Sequence, residues 1–245
     1  MTEKDILEHP KHRRIEFLET PHEYYFYPDL RKKEGVQFEG ITSWIKSFEP
    51  YKDWDKIAKG SSFNPKSEWY GMDVEDIRAA WKQKGIDSAE NGNAIHKAIE
   101  NSIETGDYDE EYQFYIDGFW KMMDDNNIKP IAAEMVLYDE DIKRASPIDV
   151  VGLRDEQVII IDIKTFADGM QYSSYKGETF NSPIDHLYTS KYIKTSLQTS
   201  IYKRWCEDYG WKTGEEYCAL FSEETVELIP LMDLRDEIEK LYEWS

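Results

Sequence analysis

The spacing of hydrophobic residues changes from a helical to a strand pattern about halfway along the chain. Before this change, residues 16–45 have the pattern of short strands and turns, and residues 50–85 are rich in tryptophan and predicted to be helical around a loop. Two more helices are predicted, over residues 87–105 with Asp87–Ser88 as the cap, and over residues 108–125. Short strands followed by helices are therefore expected in the first half.

The second half begins with three stretches of mainly apolar residues at strand spacing. Residues 131–141, 145–155 and 157–165 are predicted to be strands, and their short connections favour an antiparallel meander. Residues 167–189 show little periodicity, whereas residues 190–208 have apolar residues four apart, as in a helix. A closing pair of strands and a final helix complete the chain. This order predicts an α/β fold (an α+β sandwich) with one central sheet, in which helices flank the meander.

The composition is that of a folded protein. The chain has 245 residues, of which 40% are hydrophobic, enough for a packed core. No apolar run approaches the roughly 18 residues that cross a bilayer, and the first residues lack the apolar segment of a secretory signal. We therefore expect a cytoplasmic protein with no membrane partner. The two cysteines, Cys206 and Cys218, cannot by themselves form a four-cysteine metal site, and we interpret them as packing residues.

The charge balance restricts how the chain could meet nucleic acid. A formal net charge of −20 argues against a protein that coats nucleic acid through bulk charge. It leaves room for a local basic groove, because residues 181–204 contain four Lys or Arg against one Asp. Binding at one defined site is therefore compatible with the composition.

Four charged residues occur at strand positions among apolar neighbours: Glu134, Asp149, Asp162 and Lys164. Strand alternation places Asp162 and Lys164 on the same side of their strand. A buried carboxylate is unfavourable unless it is paired or binds a metal, and three of them on adjacent strands repel one another unless a divalent cation lies between them. Oxygen-rich sites suit Mg²⁺ or Mn²⁺.

This combination meets the needs of metal-dependent phosphodiester cleavage. A divalent cation neutralises developing charge and generates hydroxide near neutral pH, and a nearby lysine can orient the attacking water or stabilise the transition state. In this interpretation Asp149 and Asp162 bind the metal, Lys164 is the positioning residue, and Glu134 is a further ligand, directly or through water. The alternative interpretation is that these residues form separate salt bridges at strand ends.

The segment "SPIDVVGLRDEQVIIIDIKT" resembles the core motif of the PD-(D/E)XK nuclease superfamily, where an Asp on one strand is followed, across a hairpin, by Asp/Glu-x-Lys on the next. In more detail, the chain resembles the RecB-like exonuclease branch of that superfamily. Five motifs of the branch occur here in the family's order: Gly92–His96, Glu134, Asp149, Asp162–Thr165 and Gln198–Tyr202. They span a little under half of the chain.

The resemblance implies a restriction-endonuclease-like core with a central mixed sheet over residues 87–245, and residues 1–86 packed on it within one structural domain. It implies that His96 and the backbone carbonyl of Ile163 join the three carboxylates as ligands of Mg²⁺ or Mn²⁺. On the residues alone, His96 faces the core side of its helix and could be an ordinary core histidine. No iron–sulfur cluster is expected, because the cysteines that hold one in several relatives are absent.

The resemblance also implies DNA as the substrate, contacted by Gln198, Tyr202, Lys194 and Thr165. The first three share one helical stripe, which offers an amide, a phenol and an ammonium group. The alternative is an ordinary polar helix face.

The function favoured by these observations is a Mg²⁺- or Mn²⁺-dependent deoxyribonuclease. The resemblance favours a stand-alone, phage-type exonuclease in DNA replication, recombination or processing, which would act in the host cytoplasm. Since a helicase motif is absent, the nuclease would be a stand-alone module or would borrow a motor from a partner. Besides DNA, the candidate partners are a recombinase, a single-strand annealing protein and a helicase. A structure-specific or single-strand endonuclease is the nearest alternative. Non-enzymatic alternatives are a catalytically silent DNA-binding or structural module and an acidic DNA mimic, although a mimic would not need Lys164 or His96.

Overall fold

The computed structural model describes residues 1–32, 34–222 and 224–244, and its strands form one mixed, open sheet. The strands are β1 (Ile15–Leu18), β2 (Glu23–Phe26), β3 (Val36–Gly40), β4 (Lys129–Asp139), β5 (Arg144–Arg154), β6 (Gln157–Thr165), β7 (Thr213–Phe221) and β8 (Val226–Pro230). Their order in the sheet is β1-β2-β3-β5-β6-β7-β8, and β4 pairs with β5 outside this path.

Seven α-helices accompany the sheet within the described residues. They are α1 (Glu3–Leu7), α2 (Ile41–Ser47), α3 (Trp54–Phe63), α4 (Val74–Glu104), α5 (Gln113–Asp125), α6 (Lys191–Asp208) and α7 (Arg235–Glu243). None of these helices is both long and apolar enough to cross a membrane.

Along one of its two edges, β5 is paired with β3 near its start and with β6 near its end. Near its start, β5 pairs in parallel with β3 at Arg144 and Ala145, and near its end it pairs antiparallel with β6 over Val150–Arg154. Since β4 pairs with β5 along almost its whole length, β3 and β6 must share the other edge. Residues 146–149 therefore lie where β3 and β6 separate, and a short gap opens in the sheet at that point.

Helices cover both faces of the sheet. Val150, Ile159 and Ile161 pack in one hydrophobic cluster with residues of α4 and α5, whereas Val151 and Ile160 pack in a second cluster with residues of α6. This alternation explains the apolar character of β5 and β6, because strands buried on both faces need hydrophobic residues at successive positions.

Much of the predicted order is confirmed. The three-strand meander β4-β5-β6 is antiparallel, the turn between β5 and β6 contains Asp155 and Glu156, and β6 has the predicted bounds. The sheet as a whole is mixed, since β3 and β7 are parallel to their neighbours β5 and β6.

Two predicted elements are wrong in part. Residues 41–47, expected within the strand-and-turn region, form α2, because Ile41, Trp44 and Ile45 share one buried helical face. The helix expected from Asp87–Ser88 begins at Val74, with Asp73 as its N-terminal cap residue, and runs unbroken through Gly85 to Glu104. A glycine inside a helix costs only about 1 kcal/mol, so it does not by itself end one. This helix therefore crosses the predicted boundary between residues 1–86 and 87–245.

Candidate metal centre

Three elements bring potential metal ligands together at the gap in the sheet. His96 of α4, Glu134 of β4 and Asp149 of β5 each offer one ligand atom, and these atoms lie within 4.8 Å of one another. His96 Nδ1 is 3.8 Å from Asp149 Oδ2. The three residues line a cavity of about 570 Å³, whose other walls come mainly from β2, β3, α2 and α6. The cavity is wide enough for a small polar ligand to reach all three.

Glu134 has an unusual backbone. Its φ is 48°, a left-handed value that residues with side chains seldom adopt, and it occurs in the middle of a strand. By register Glu134 falls opposite Asp149, between the pairs formed by Ala133 with Val150 and Met135 with Ile148. Such strain concentrates at functional sites, where the surrounding structure maintains it. Burial and the neighbouring Asp149 raise the pKa of Glu134 to about 8.

Asp149 is held by the backbone of β6. Its Oδ2 accepts a hydrogen bond of 2.6 Å from the amide N–H of Ile163. Burial raises the pKa of Asp149 above its usual value, although the charge of Lys164 and the Ile163 amide oppose this shift. The carboxylate is thus oriented by a fixed donor and keeps its second oxygen for another partner.

Asp162 and Lys164 form an ion pair next to this group. Lys164 Nζ lies 2.6 Å from Asp162 Oδ2, and the Asp162 side chain is fully buried. Burial raises the pKa of Asp162 to about 6, against the lowering effect of the Lys164 charge. Burial would lower the pKa of Lys164, but the two aspartates outweigh it and raise that pKa above its usual value. Asp162, expected to bind the same ion as Asp149, is not part of the converging group of three.

The protonation state of His96 suits a metal ligand. Burial, followed by the charge of Lys164, lowers the pKa of His96 to about 4. The imidazole is therefore neutral near neutral pH, which is the form that binds metals. The carbonyl of Ile163, also expected as a ligand, accepts a hydrogen bond of 3.3 Å from Lys164 Nζ.

Gly92 sets the distance between α4 and β6. A Cβ atom at this position would lie 2.9 Å from Oγ1 of Thr165, closer than side-chain carbons approach other atoms. The absence of a side chain thus lets the last residue of β6 pack directly on the helix, one turn before His96. The sequence suggested Thr165 as a DNA contact, and the structure places its hydroxyl against this helix.

The predicted DNA-contacting stripe of α6 is divided between two places. Gln198 and Tyr202 line the cavity, where Gln198 Nε2 donates to the Tyr202 hydroxyl at 3.0 Å, and the same hydroxyl lies 3.0 Å from Ser146 Oγ. Tyr202 is only 1% exposed. Lys194 does not line this cavity and forms an ion pair of 2.8 Å with Glu49.

The basic window at residues 181–204 is largely neutralised by tertiary contacts. Lys203 pairs with Glu216 and Asp233, and Arg204 pairs with Glu239, in addition to the pair formed by Lys194. Three of its four cations are therefore engaged by carboxylates distant in sequence, and the window does not form an open basic groove.

Some cavity residues were not anticipated from the sequence. Asn93 lies three residues before His96, and this helical spacing could have identified it. Ser146 and the β3 residues Phe38 and Glu39 reach the cavity only through non-local strand pairing, for which the sequence carries no local signal.

The donor set fits a hard divalent cation. Two carboxylates and an imidazole converge, and Oδ1 of the neighbouring Asp162 is buried without accepting a hydrogen bond from any residue that the structure describes. Such an acceptor is normally satisfied by a hydrogen-bond donor, an ordered water or an ion. No protein-family model matches the chain, and a search of curated proteins found no match.

Proposed function

We propose that the protein is a Mg²⁺- or Mn²⁺-dependent deoxyribonuclease with a restriction-endonuclease-like core of the PD-(D/E)XK type. The observation that supports this function best is the convergence of His96, Glu134 and Asp149 beside the Asp162–Lys164 pair. Separate salt bridges at strand ends, the alternative interpretation of these residues, would not require three ligand atoms within 4.8 Å. An exonuclease is the favoured form, on the resemblance to the RecB-like branch.

Each residue has a role that follows from its surroundings. Asp149, Glu134 and His96 would hold the cation, and Asp162 would add its free Oδ1 with a small adjustment of the site. The bound cation would neutralise charge on the phosphate and make water a stronger nucleophile. Asp162 holds the ammonium of Lys164 in place, and the Lys164 side chain keeps 26% of its surface exposed, so it can reach a phosphate oxygen or the attacking water.

Cleavage assays test this proposal directly. End-labelled linear, closed circular and single-stranded DNA would be incubated with Mg²⁺ or Mn²⁺ and, in parallel, with a chelator. Degradation of linear but not circular DNA is the expected result, whereas cuts in circular DNA would indicate an endonuclease. Lys164→Ala should reduce the cleavage rate by about 10²–10³, as expected when one preorganised charged group is removed.

A matched variant separates the site from general damage to the protein. Lys84→Ala removes a lysine at an exposed position of α4 and should cleave DNA at the parent rate. Equal rates in the parent, Lys84→Ala and Lys164→Ala would place cleavage elsewhere. No metal-dependent cleavage of any of these DNAs by the parent would favour the silent DNA-binding or mimic alternatives.

A further inference from the structure

The middle of the long helix α4 is exposed to solvent. Every residue from Lys82 to Asn91 is exposed, although these residues continue the helix that carries His96. Nearly three turns of helix therefore stand away from the core among the described residues. Helices in proteins gain most of their stability by packing an apolar face, so an unpacked stretch between two packed ends can serve as a surface for a ligand.

One line along this helix leads directly to the candidate metal centre. At roughly 100° per residue, Arg78, Gly85, Ala89 and His96 lie within about 20° of one line parallel to the helix axis. Gly85 and Ala89 are small and exposed, and a Cβ atom on Gly85 would have no atom within 4 Å. A chain lying along this line could thus approach the helix backbone closely.

The charges on this helix are distributed unequally around it. Lys82 flanks the line at about 40°, whereas Asp87, Glu90 and Lys84 lie at about 120° or more from it. Between Arg78 and His96 the side of α4 that faces the line carries cations and no carboxylate, in a chain of net charge −20. Arg78 also pairs with Asp55 of α3, whereas Lys82 forms no ion pair with the residues that the structure describes.

An aromatic cleft lies at the far end of this line. Trp54 of α3 and Trp81 of α4 meet edge to face with ring centroids 6.3 Å apart, and together with Arg78, Ala79 and Lys82 they line a cleft of about 480 Å³. Trp54 is 50% exposed, although tryptophan is usually well buried. Exposed aromatic rings beside cations are the features with which proteins bind unpaired bases and their phosphates.

We propose that this cleft and the Arg78–His96 line of α4 form a binding track for single-stranded DNA that leads into the candidate metal centre. A base packs in the cleft against both Trp54 and Trp81, the backbone follows the small residues of the helix, and Lys82 contacts a phosphate. Trp81 and His96 are fifteen residues apart, a rise of about 22 Å along the helix. At about 3.4 Å per stacked nucleotide, this distance corresponds to about six to seven nucleotides. The choice of DNA as the ligand rests on the proposed nuclease function, but the track is a different surface from the metal centre.

Binding measured without cleavage tests the track independently of catalysis. Fluorescence anisotropy would be measured for a labelled oligothymidine of about 15 nucleotides, near the upper limit of common single-strand site sizes, in a chelator with the full chain. Trp81→Ala and Trp54→Ala should each weaken binding by about tenfold, as expected for the loss of a stacked base. Trp120→Ala, which removes another exposed tryptophan on α5, should bind like the parent.

A pair of charge reversals tests which face of α4 carries the track. Lys82→Glu and Lys84→Glu change the net charge equally and lie two residues apart on the same exposed turn. Lys82→Glu should weaken binding much more than Lys84→Glu and reduce its dependence on salt, because a phosphate contact is lost. Equal effects of the two reversals would overturn the proposal, and so would equal losses for Trp81→Ala and Trp120→Ala. A blunt duplex that binds as tightly as the oligothymidine and loses affinity in the same variants would overturn the assignment to single strands.

The outcomes separate this proposal from the nuclease function. If the parent binds the oligothymidine with the expected variant pattern but cleaves no DNA, the track stands and the nuclease function fails. If the parent cleaves DNA while the tryptophan and lysine variants bind as their controls do, the track fails and the nuclease function stands. Circular dichroism of each variant checks its fold, and Lys82→Glu, at an exposed position, keeps the test valid if Trp81→Ala does not fold.

Discussion

The amide N–H of Ile163 donates a hydrogen bond of 2.6 Å to the side chain of Asp149, not to a backbone carbonyl. Backbone pairing between β5 and β6 ends at Val150 and Ile161, so the next free amide of β6 is satisfied by a carboxylate. The hydrogen bond from Ile163, just beyond the last backbone pair, thus fixes the position of Asp149 and leaves its other oxygen available. This relationship explains why an acidic residue can occupy the gap between β3 and β6.

Metal binding should stabilise the fold through this group. A cation that binds only the folded chain stabilises it by about 2.7 kcal/mol at a hundredfold excess over its dissociation constant. Thermal unfolding in millimolar Mn²⁺ should therefore occur at a higher temperature than in a chelator. Asp149→Asn should lose most of this shift while keeping the fold, because the asparagine carbonyl can still accept the Ile163 amide.

The control for this measurement is a carboxylate on the surface. Asp185→Asn changes the charge equally at an exposed position and should retain the parent shift. A shift of the same size in the parent, Asp149→Asn and Asp185→Asn would show that loosely bound surface counterions cause it.

Substitution by alanine should have opposite effects on stability at two glycines of α4. A methyl group added at Gly85 would stand in open space, with no atom within 4 Å, so Gly85→Ala should stabilise the protein by up to about 1 kcal/mol through helix propensity. At Gly92 the same methyl group would lie 2.9 Å from Thr165 Oγ1, so Gly92→Ala should instead destabilise by about 1–3 kcal/mol. Denaturant unfolding of both variants measures the difference.

A second substitution identifies the contact responsible. Thr165→Ala removes Oγ1, so adding it to Gly92→Ala should recover part of the lost stability. If Gly92→Ala is as stable as Gly85→Ala, α4 does not depend on this close approach to β6.

The meander could be predicted from the sequence because its determinants are local. Strand spacing and a hairpin turn at Asp155 and Glu156 are enough to order β5 and β6, and the same strand period pairs Asp162 with Lys164. The position of β3 beside β5 could not be predicted, since Glu39 and Arg144 are more than a hundred residues apart. Non-local pairing of this kind leaves no periodic signal.

The candidate site was also only partly predictable from the sequence. The sequence predicted that His96, Glu134, Asp149 and Asp162 would share one metal ion. Asp162 lies outside the converging group of the other three, and the left-handed backbone of Glu134 was not predicted. The extended exposed stretch of α4 was missed because Gly85 and the polar residues around it resembled a break between two helices. The structure shows one continuous helix, whose two ends pack against other elements.

Tyr202 should contribute to stability through its hydroxyl. Tyr202→Phe removes the partner of both Ser146 and Gln198 in a buried environment, which should cost about 1–3 kcal/mol. Combining it with Ser146→Ala should cost less than the sum of the two single changes, because the two hydroxyls satisfy each other. Urea unfolding of the three variants measures this coupling. Strictly additive losses would mean that the two hydroxyls do not depend on each other.

Stability should also depend on pH through His12, in the N-terminal segment. Its Nε2 donates to the carbonyl of Ile6 at 3.0 Å, and its ring packs near Tyr209 and Trp211. Burial lowers the pKa of His12 below its usual value of 6.5. The unfolded chain therefore binds a proton on this histidine more readily than the folded chain does. Its neutral form favours folding fully above about pH 6.5, and this contribution is lost as the pH falls through that value toward the folded pKa.

The variant His12→Gln removes this titrating group, because glutamine can still donate to the Ile6 carbonyl but does not titrate. Glu134 and Asp162, whose pKa values are raised, change stability in the opposite direction as the pH falls, but they do so equally in the parent and the variant. The stability of each protein would be measured by urea unfolding at about pH 7.5 and about pH 5, the range over which histidines titrate. The parent should lose more stability than His12→Gln across this interval. Equal losses of stability in the parent and His12→Gln would show that His12 is protonated as easily in the folded as in the unfolded chain. Its packing against the two aromatic rings would then not exclude the charge.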